Sequence, residues 1–203
     1  MTIATAEVTG IILAGGMGRR MGGVDKGLVP LAGQPMVAHV LARLSAQVGA
    51  LVINANQNLD RYAAFGHPVV PDEVGGFAGP LAGLHAGMTH ARTPFVVTVP
   101  CDSPFLPVDL VARLGEGMAR EDAQLAVAHT LAQPHPVFAL VARHVLPHLA
   151  AFLRDGGRKI DAWYATLRVV TVPFDDQEAA FRNINTADEL AAAAASAARV
   201  GVP

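Results

Sequence analysis

The glycine-rich segment 13–27 contains the residue types in this sequence that are best suited to binding an anion. Its sequence is LAGGMGRRMGGVDKG, and it follows a short apolar run. Glycines let the backbone approach phosphate oxygens and adopt positive φ, so successive N–H groups can converge on an anion. Arg19 and Lys26 supply cations that neutralise the remaining charge. We therefore predict a phosphate-binding loop whose contacts are Leu13, Ala14, Gly15, Gly16, Gly18 and Lys26.

Two common phosphate-binding motifs do not fit this segment. A Walker loop requires Ser or Thr directly after Gly-Lys, whereas here Asp25 precedes Lys26 and Gly27 follows it. A dinucleotide fingerprint would place its third glycine one residue before Gly22, and it needs an acidic residue where the next strand instead ends at Asn54. A plain turn between a strand and a helix needs only one or two glycines. A loop that binds a small anionic ligand is therefore the favoured interpretation.

Polar side chains follow three apolar runs of the sequence. Asn54 ends one run, Asp72 follows another, and Asp102 follows the run 95–100. In a parallel sheet, ligands collect at the carboxyl ends of the strands. We therefore expect these three side chains to contribute to a site, with turn formation and loop capping as their alternative roles.

The apolar periodicity predicts an α/β fold. Short, often β-branched runs bounded by Gly, Pro or Asn predict strands at 8–13, 50–54, 69–71, 95–100, 125–129, 137–141 and 168–172. Apolar spacing of three and four predicts helices around 36–44 and 110–114, and prolines 35, 80 and 107 mark helix starts. Alternating strands and helices predict three layers, with a mostly parallel sheet and helices on both of its faces.

The domain organisation follows from length and periodicity. At 203 residues we expect a single domain. Within it we expect a nucleotide-binding half at 8–110, which contains the glycine-rich segment, and a half at 125–190 that binds a second substrate, the acceptor. The segment 125–172 has weaker periodicity and more His and Pro, so we expect it to depart from simple winding.

Composition excludes several classes of function. Hydrophobic residues make up 52% of the chain and charged residues 16%, which is typical of a folded domain. A net charge of -2 disfavours nucleic acid as a partner. No apolar run approaches the length that crosses a bilayer, so we expect no membrane partner. A single cysteine, Cys101, and the lack of a signal sequence predict a cytoplasmic location.

Segments spread along nearly the whole chain closely resemble the molybdenum cofactor guanylyltransferases, the MobA family of nucleotidyltransferases. The glycine-rich segment carries three of them, Leu13-Ala14-Gly15-Gly16, Arg20-Met21-Gly22 and Asp25-Lys26. The others are Asn54-Ala55-Asn56, Pro71-Asp72, Gly79-Pro80-Leu81-Ala82-Gly83, Pro100-Cys101-Asp102-Ser103-Pro104, His135-Pro136 and Asn183-Ile184-Asn185-Thr186. One departure is Ala187, where the family often has proline. The resemblance implies a Rossmann-like nucleotidyltransferase A fold.

The resemblance also implies a reaction and its residues. GMP passes from GTP to the terminal phosphate of molybdopterin or molybdenum-molybdopterin, and pyrophosphate leaves. Asp102 would anchor Mg²⁺, and Lys26 and Arg20 would act with it in catalysis. Asn54 and Asp72 would contact the nucleotide. The candidates for binding the acceptor are His135, Asn183, Asn185 and Arg158, and proteins of molybdopterin synthesis are candidate partners.

Several alternatives stay open at this point. An enzyme of the same fold could transfer a cytidylyl group to the same cofactor, or a nucleotidyl group to a sugar phosphate. A regulator that binds a nucleotide without turnover is a third alternative. Trp163 and Tyr164 could stack on a pterin or fill the core, and Cys101 is expected to pack rather than to act as a nucleophile.

Overall fold

The fold is built on a central β-sheet that contains strands from both predicted halves of the chain. The computed structural model describes residues 3–14, 25–73, 79–131 and 133–200, with the backbone alone at Ala187 and at 195–200. Its strands are β1 (Val8–Leu13), β2 (Pro30–Leu31), β3 (Gln34–Pro35), β4 (Ala50–Asn54), β5 (Val69–Val70), β6 (Phe95–Pro100), β7 (Leu125–Thr130), β8 (Gln133–Ala142) and β9 (Val169–Pro173). Seven of these form one sheet in the order β5-β4-β1-β6-β8-β7-β9, and β2 pairs with β3 in a small hairpin.

Helices cover both faces of this sheet. They are α1 (Met36–Ser45), α2 (Leu59–Ala63), α3 (Pro80–His90), α4 (Leu110–Arg120), α5 (Leu146–Arg154), α6 (Ile160–Tyr164) and α7 (Ala187–Val200). None of these described helices has both the length and the hydropathy that would let it span a bilayer.

Two hydrophobic cores separate the layers. Successive strand residues point to opposite faces, so Ile11 and Ile12 of β1 lie in different cores. The core around Ile12 is closed by apolar side chains of α1 and α4, and the core around Ile11 by those of α3, α5 and α6. The predicted three-layer α/β architecture is confirmed.

Two of the three prolines expected at helix starts lie there. Pro80 is the first residue of α3, and Pro35 directly precedes α1. Proline suits the first turn because its missing N–H would have no partner within the helix. Pro107 lies three residues before Leu110, where α4 begins, and its carbonyl accepts a hydrogen bond from the Leu110 N–H at 3.4 Å.

The second half of the sheet departs from simple winding, as expected. β1, β4, β5 and β6 run parallel, whereas β8 lies antiparallel between β6 and β7. β8 also begins earlier than the predicted strand, and it contains Pro134 and Pro136. Residues 133–135 pair with β7 alone, while β6 pairs only with 139–142. Proline is tolerated there because a strand with one neighbour leaves part of its backbone outside the ladder.

The strand order places a crevice at the ends of β1 and β6. In this sheet the chain passes from β1 to β4 on one side and from β6 to β7 on the other, so the connections that leave the carboxyl ends of the adjacent strands β1 and β6 diverge. Such a switch point opens a crevice beyond the carboxyl ends of the strands, where ligands of α/β proteins bind. Leu13 ends β1, and Asp102 lies two residues after β6.

Candidate active site

The side chains of Lys26, Asp102 and Asn185 converge at this crevice. Lys26 Nζ lies 3.2 Å from Asp102 Oδ2 and also donates a hydrogen bond to Asn185 Oδ1. The Lys26 side chain is 21% exposed and that of Asp102 is 12% exposed, so both retain access to a ligand. The structure thus brings together a cation, a carboxylate and an amide from three distant parts of the chain.

The segment 183–185 is held against the end of β6 by its own hydrogen bonds. The Ile184 N–H donates to the Asp102 carbonyl at 2.9 Å, and Ser103 Oγ donates to Asn183 Oδ1 at 2.7 Å. Both predicted asparagines therefore lie close to Asp102, whereas Ser103, which belongs to the family-like segment 100–104, was not predicted as a site residue.

A capping box at the start of α7 orients the same segment. Glu189 Oε2 accepts hydrogen bonds from the backbone N–H groups of Asn185 at 2.6 Å and Thr186 at 3.0 Å. Thr186 Oγ1 accepts one from the Glu189 N–H at 3.2 Å. These bonds lower the pKa of the Glu189 carboxyl, because they stabilise its charged form. Alanine at position 187 leaves this helix start intact.

A second group of polar side chains lies at the ends of β4 and β5. Asn54 Nδ2 donates to Asp72 Oδ1 at 2.9 Å, and Asn56 Nδ2 donates to Asp72 Oδ2 at 2.8 Å. Asn56 Oδ1 in turn accepts from the Asp72 N–H at 2.8 Å. Each oxygen of Asp72 thus has its own donor, which fixes the orientation of the carboxylate.

Close packing by α3 sets the position of Asn54. A Cβ atom added to Gly83 would lie 2.3 Å from Asn54 Oδ1 and 2.7 Å from Leu13 Cδ2. Only glycine therefore lets the first turn of α3 approach the ends of β1 and β4 this closely. The Ala14 N–H donates to the Asn54 carbonyl at 2.8 Å, so the predicted contacts Leu13, Ala14 and Asn54 are neighbours.

Asp25, directly before Lys26, is buried and carries two side-chain hydrogen bonds that sequence reasoning missed. Tyr62 Oη donates to Asp25 Oδ1 at 2.5 Å, and Asn58 Nδ2 donates to Asp25 Oδ2 at 2.9 Å. Burial raises the pKa of the Tyr62 phenol, and the nearby carboxylate raises it further. Tyr62 is therefore a neutral donor to the carboxylate.

His135, predicted to bind the acceptor, lies in an aromatic cluster on β8. Its Nε2 is 2.7 Å from Thr130 Oγ1, and its ring stacks on Phe181 with centroids 4.5 Å apart. Phe138 and Phe174 each contact Phe181 edge-on. Burial lowers the pKa of His135, and the neighbouring His129 lowers it further, so the imidazole is neutral at pH 7.

Arg158 has a local role in the structure. Its guanidinium donates to the carbonyls of Leu153 at 2.8 Å and Gly157 at 2.7 Å, where α5 ends. The Leu153 carbonyl also accepts a hydrogen bond from the Gly156 N–H at 3.2 Å, so Arg158 adds a second donor at this helix end. Neither bond joins Arg158 to the Lys26–Asp102 pair, so its assignment to the acceptor stays a prediction.

Three residues considered for chemistry are buried. Trp163 is 0% exposed and Tyr164 is 8% exposed, and both belong to the core beneath α5. They fill the core rather than offer a face for stacking. Cys101 is buried as well, and burial together with the Asp102 carboxylate raises the pKa of its thiol. A thiol of this kind is a poor nucleophile, in agreement with a packing role.

Other predicted contacts fall outside the described residues. These are Gly15, Gly16, Gly18 and Arg20, all within 15–24. The described residues on either side of 15–24 are Ala14 and Asp25, and both lie at the crevice.

The donor set of the described residues fits a metal that is shared with a ligand. Within these residues, no three His, Cys, Asp or Glu side chains gather into a group that could hold a metal ion. Mg²⁺ needs only one or two carboxylates when phosphate oxygens and water complete its shell. Asp102 can supply one such carboxylate beside the glycine-rich segment, so the residues present fit Mg²⁺ bound together with a triphosphate.

The chain matches one protein family over most of its length. Residues 10–170 match the model of the MobA-like NTP transferase domain. The molybdenum cofactor guanylyltransferase of Cupriavidus metallidurans is 56% identical over 193 residues, covering 93% of this chain and 95% of the relative. That of Bordetella petrii is 53% identical over 192 residues, covering 93% and 97%.

Solved structures agree with this family. Molybdopterin-guanine dinucleotide biosynthesis protein A from Archaeoglobus fulgidus has a TM-score of 0.79 at 26% identity, covering 94% of this chain and 99% of that one. The 4-diphosphocytidyl-2C-methyl-D-erythritol synthase from Anaerococcus prevotii has a TM-score of 0.75 at 11% identity, covering 96% and 97%, and shares the fold. By sequence and by structure, this chain therefore belongs to the nucleotidyltransferases of the MobA-like family and groups with the molybdenum cofactor guanylyltransferases.

Proposed function

We propose that this protein transfers GMP from GTP to the terminal phosphate of molybdopterin, with or without bound molybdenum. An oxygen of that phosphate forms a bond to the α-phosphorus of GTP, the bond from the α-phosphorus to the β-phosphate oxygen breaks, and pyrophosphate leaves. The observation that carries the proposal is the convergence of Lys26, Asp102 and Asn185 at the crevice where the glycine-rich segment begins and ends. The names of the relatives support GTP and molybdopterin as substrates.

Lys26 would contribute by holding the triphosphate through its charge. A hydrogen bond from a charged donor contributes about 1.5 to 3 kcal/mol. If that contact is made in the transition state, its loss slows the reaction by about 10- to 100-fold. Lys26 Nζ already lies at the crevice on Asp102 and Asn185, so it needs little reorientation to reach a phosphate.

Asp102 would hold Mg²⁺ against the phosphates. Bound there, the metal would screen the negative charge that builds up on the pyrophosphate as it leaves. Asp102 would fix the position of the metal, because its backbone carbonyl is bonded to the Ile184 N–H and it lies two residues after β6.

The nucleoside and the triphosphate of GTP would be bound by residues at different strand ends. Asn54 and Asp72, which are bonded to each other, would contact the nucleoside end. A carboxylate with a fixed orientation accepts hydrogen bonds from the donors of a guanine edge or a ribose. The remaining residues 13–18 would surround the phosphates.

The acceptor would approach from the β8 side of the crevice. His135 lies there in its aromatic cluster, while Asn185 accepts a hydrogen bond from Lys26 and Asn183 accepts one from Ser103, the residue after Asp102. These neutral donors and acceptors suit the polar edge of a pterin. A cytoplasmic location and contact with proteins of molybdopterin synthesis complete the proposal.

Pyrophosphate release tests the proposal directly. The purified protein is incubated with Mg²⁺ and molybdopterin, and with GTP, CTP or ATP in parallel reactions. We expect release with GTP to exceed that with the other two by at least about 100-fold, the discrimination that a site built to hydrogen-bond one base can reach. Equal release with CTP would refute the guanylyl assignment. GTP binding without any release would indicate a nucleotide-binding regulator.

A further inference from the structure

The segment 54–58 joins the two groups of polar contacts at the crevice. Asn54 and Asn56, at one end of it, each bond to a different oxygen of Asp72. Asn58, at the other end, bonds to Asp25, the residue before Lys26. Segment 54–58 thus contacts Asp72, which is expected to bind the nucleoside, and Asp25, which precedes the expected phosphate contact Lys26.

Asn58 adopts a conformation that frees its side chain for this contact. Its φ is 53° and its ψ is 34°, in the left-handed region that few residues other than glycine and asparagine adopt. It directly precedes α2, where asparagine commonly caps the helix, yet its side chain makes no capping bond. The side chain instead donates to Asp25 Oδ2 at 2.9 Å.

Tyr62 holds the other oxygen of the same carboxylate from the core. Its side chain is fully buried among apolar residues, with the hydroxyl on Asp25 Oδ1 at 2.5 Å. A buried carboxylate without donors would be costly, so these two bonds make the position of Asp25 specific.

The backbone at Lys26 is packed onto this network. A Cβ atom added to Gly27 would lie 2.5 Å from Tyr62 Oη and 3.2 Å from Cys101 Cβ. The turn Lys26–Leu28 therefore rests directly on Tyr62 and on the residue that precedes Asp102. Any shift of Asp25 or Tyr62 moves the base of the Lys26 side chain relative to Asp102.

We propose that Asn58 and Tyr62 are positioning residues that act through Asp25 to hold Lys26 in register with the nucleoside contacts on segment 54–58. The inference rests on the proposed function, because it takes Lys26 to bind the triphosphate of GTP. It assigns a role in substrate binding to residues that touch no substrate.

Glycine at position 58 gives a clean test. Glycine adopts positive φ without strain, so Asn58→Gly removes the amide and leaves the backbone conformation in place. The matched control is Asp122→Gly, because Asp122 also has a positive φ of 47° but lies three residues before β7, on the other side of β1 and β6 from β4. Tyr62→Phe removes the second bond while keeping the ring in the core.

The experiment is a double-mutant cycle on the affinity for GTP with Mg²⁺, measured by titration calorimetry. We expect Asn58→Gly and Tyr62→Phe each to weaken binding by about 5- to 10-fold in the native background, a coupling of ordinary size for neighbouring residues. In the Lys26→Met background each should weaken it by less than about 2-fold, because the lysine that they position is gone. Asp122→Gly should leave affinity unchanged in both backgrounds, and the KM for molybdopterin should stay constant throughout.

The outcomes separate this inference from the proposed function. Equal losses of affinity in both backgrounds would mean that the network only supports the fold, and would overturn the inference alone. No loss for Asn58→Gly in the native background would overturn it as well. If Lys26→Met itself left the affinity for GTP unchanged, the assignment of Lys26 in the proposed function would fall first.

Discussion

The two halves of the sheet present different chemistry to the crevice. In the parallel half, formed by β1, β4, β5 and β6, charged and amide side chains bond to one another beyond the strand ends, as in the pairs Lys26–Asp102 and Asn54–Asp72. In the mixed half, β8 presents a neutral imidazole stacked on Phe181. Fixed charges suit a triphosphate with its metal, whereas a neutral, aromatic surface suits a flat acceptor. If this difference reflects function, changes in each half should affect different substrates.

The largest effect is expected from Asp102→Ala. Without this carboxylate the protein offers the shared metal no anchor beside the phosphates, so we expect kcat to fall by about 1000-fold or more. Pyrophosphate release measures the loss, and circular dichroism checks that the fold is retained. Glu116→Ala, at an exposed position of α4, is the matched control. Substantial activity of Asp102→Ala at ordinary Mg²⁺ would reject Asp102 as the anchor.

Lys26→Met should have the next largest effect. The substitution keeps the length of the side chain but removes the charge, and we expect kcat/KM for GTP to fall by about 10- to 100-fold. The KM for molybdopterin should change little, because Lys26 belongs to the parallel half. Steady-state kinetics with each substrate varied in turn measures both values. A comparable rise in the KM for molybdopterin would contradict the division between the two halves.

Gly83→Ala should weaken GTP binding without removing any polar group. The added methyl would overlap Asn54 Oδ1 and Leu13 Cδ2, so the Asn54 amide must shift, which disturbs its hydrogen bond to Asp72. We expect the KM for GTP to rise about 10-fold and the free energy of unfolding to fall by about 1 to 3 kcal/mol. Gly115→Ala is the control, because its added methyl would meet only Ile3 at 3.5 Å. An unchanged KM in Gly83→Ala would show that the position of Asn54 does not matter.

His135→Gln tests the mixed half. Glutamine keeps a hydrogen-bonding group but loses the stack on Phe181. We expect the KM for molybdopterin to rise by about 2- to 10-fold, the size of effect expected from losing one aromatic contact. The KM for GTP should not change. A rise in it would contradict the assignment of the mixed half to the acceptor.

The pH dependence of stability should carry a smaller contribution from the same histidine. Its folded-state pKa lies below the ordinary value of 6.5, so below that pH the unfolded chain binds the proton more readily than the folded one. The free energy of unfolding should therefore decrease as the pH falls below 6.5, and less steeply in His135→Gln. Denaturant titrations at several pH values measure both slopes, and identical slopes would contradict the assignment.

The parallel half was largely predictable from the sequence. Its strands are short apolar runs with clear boundaries, and Asn54 and Asp102 follow from their place at strand ends. The family resemblance named Asn185, which lies 159 residues from Lys26 in the chain, a contact that no local pattern indicates.

The features that were missed depend on tertiary contacts. The antiparallel β8 begins at Gln133, earlier than the predicted strand at 137–141, and only the pairing shows that residues 133–135 have a single neighbour, β7. Asn58 and Tyr62 lie in a loop and a five-residue helix without a distinctive pattern. Only the structure shows that both side chains donate hydrogen bonds to Asp25, the residue before Lys26.

A crystal structure with Mg²⁺ and a non-hydrolysable analogue of GTP would test the central claim most directly. The account predicts that the triphosphate lies between residues 13–26 and Asp102, with Lys26 Nζ on a phosphate oxygen and the metal on Asp102. A triphosphate bound elsewhere, with Lys26 still on Asp102 and Asn185, would contradict it.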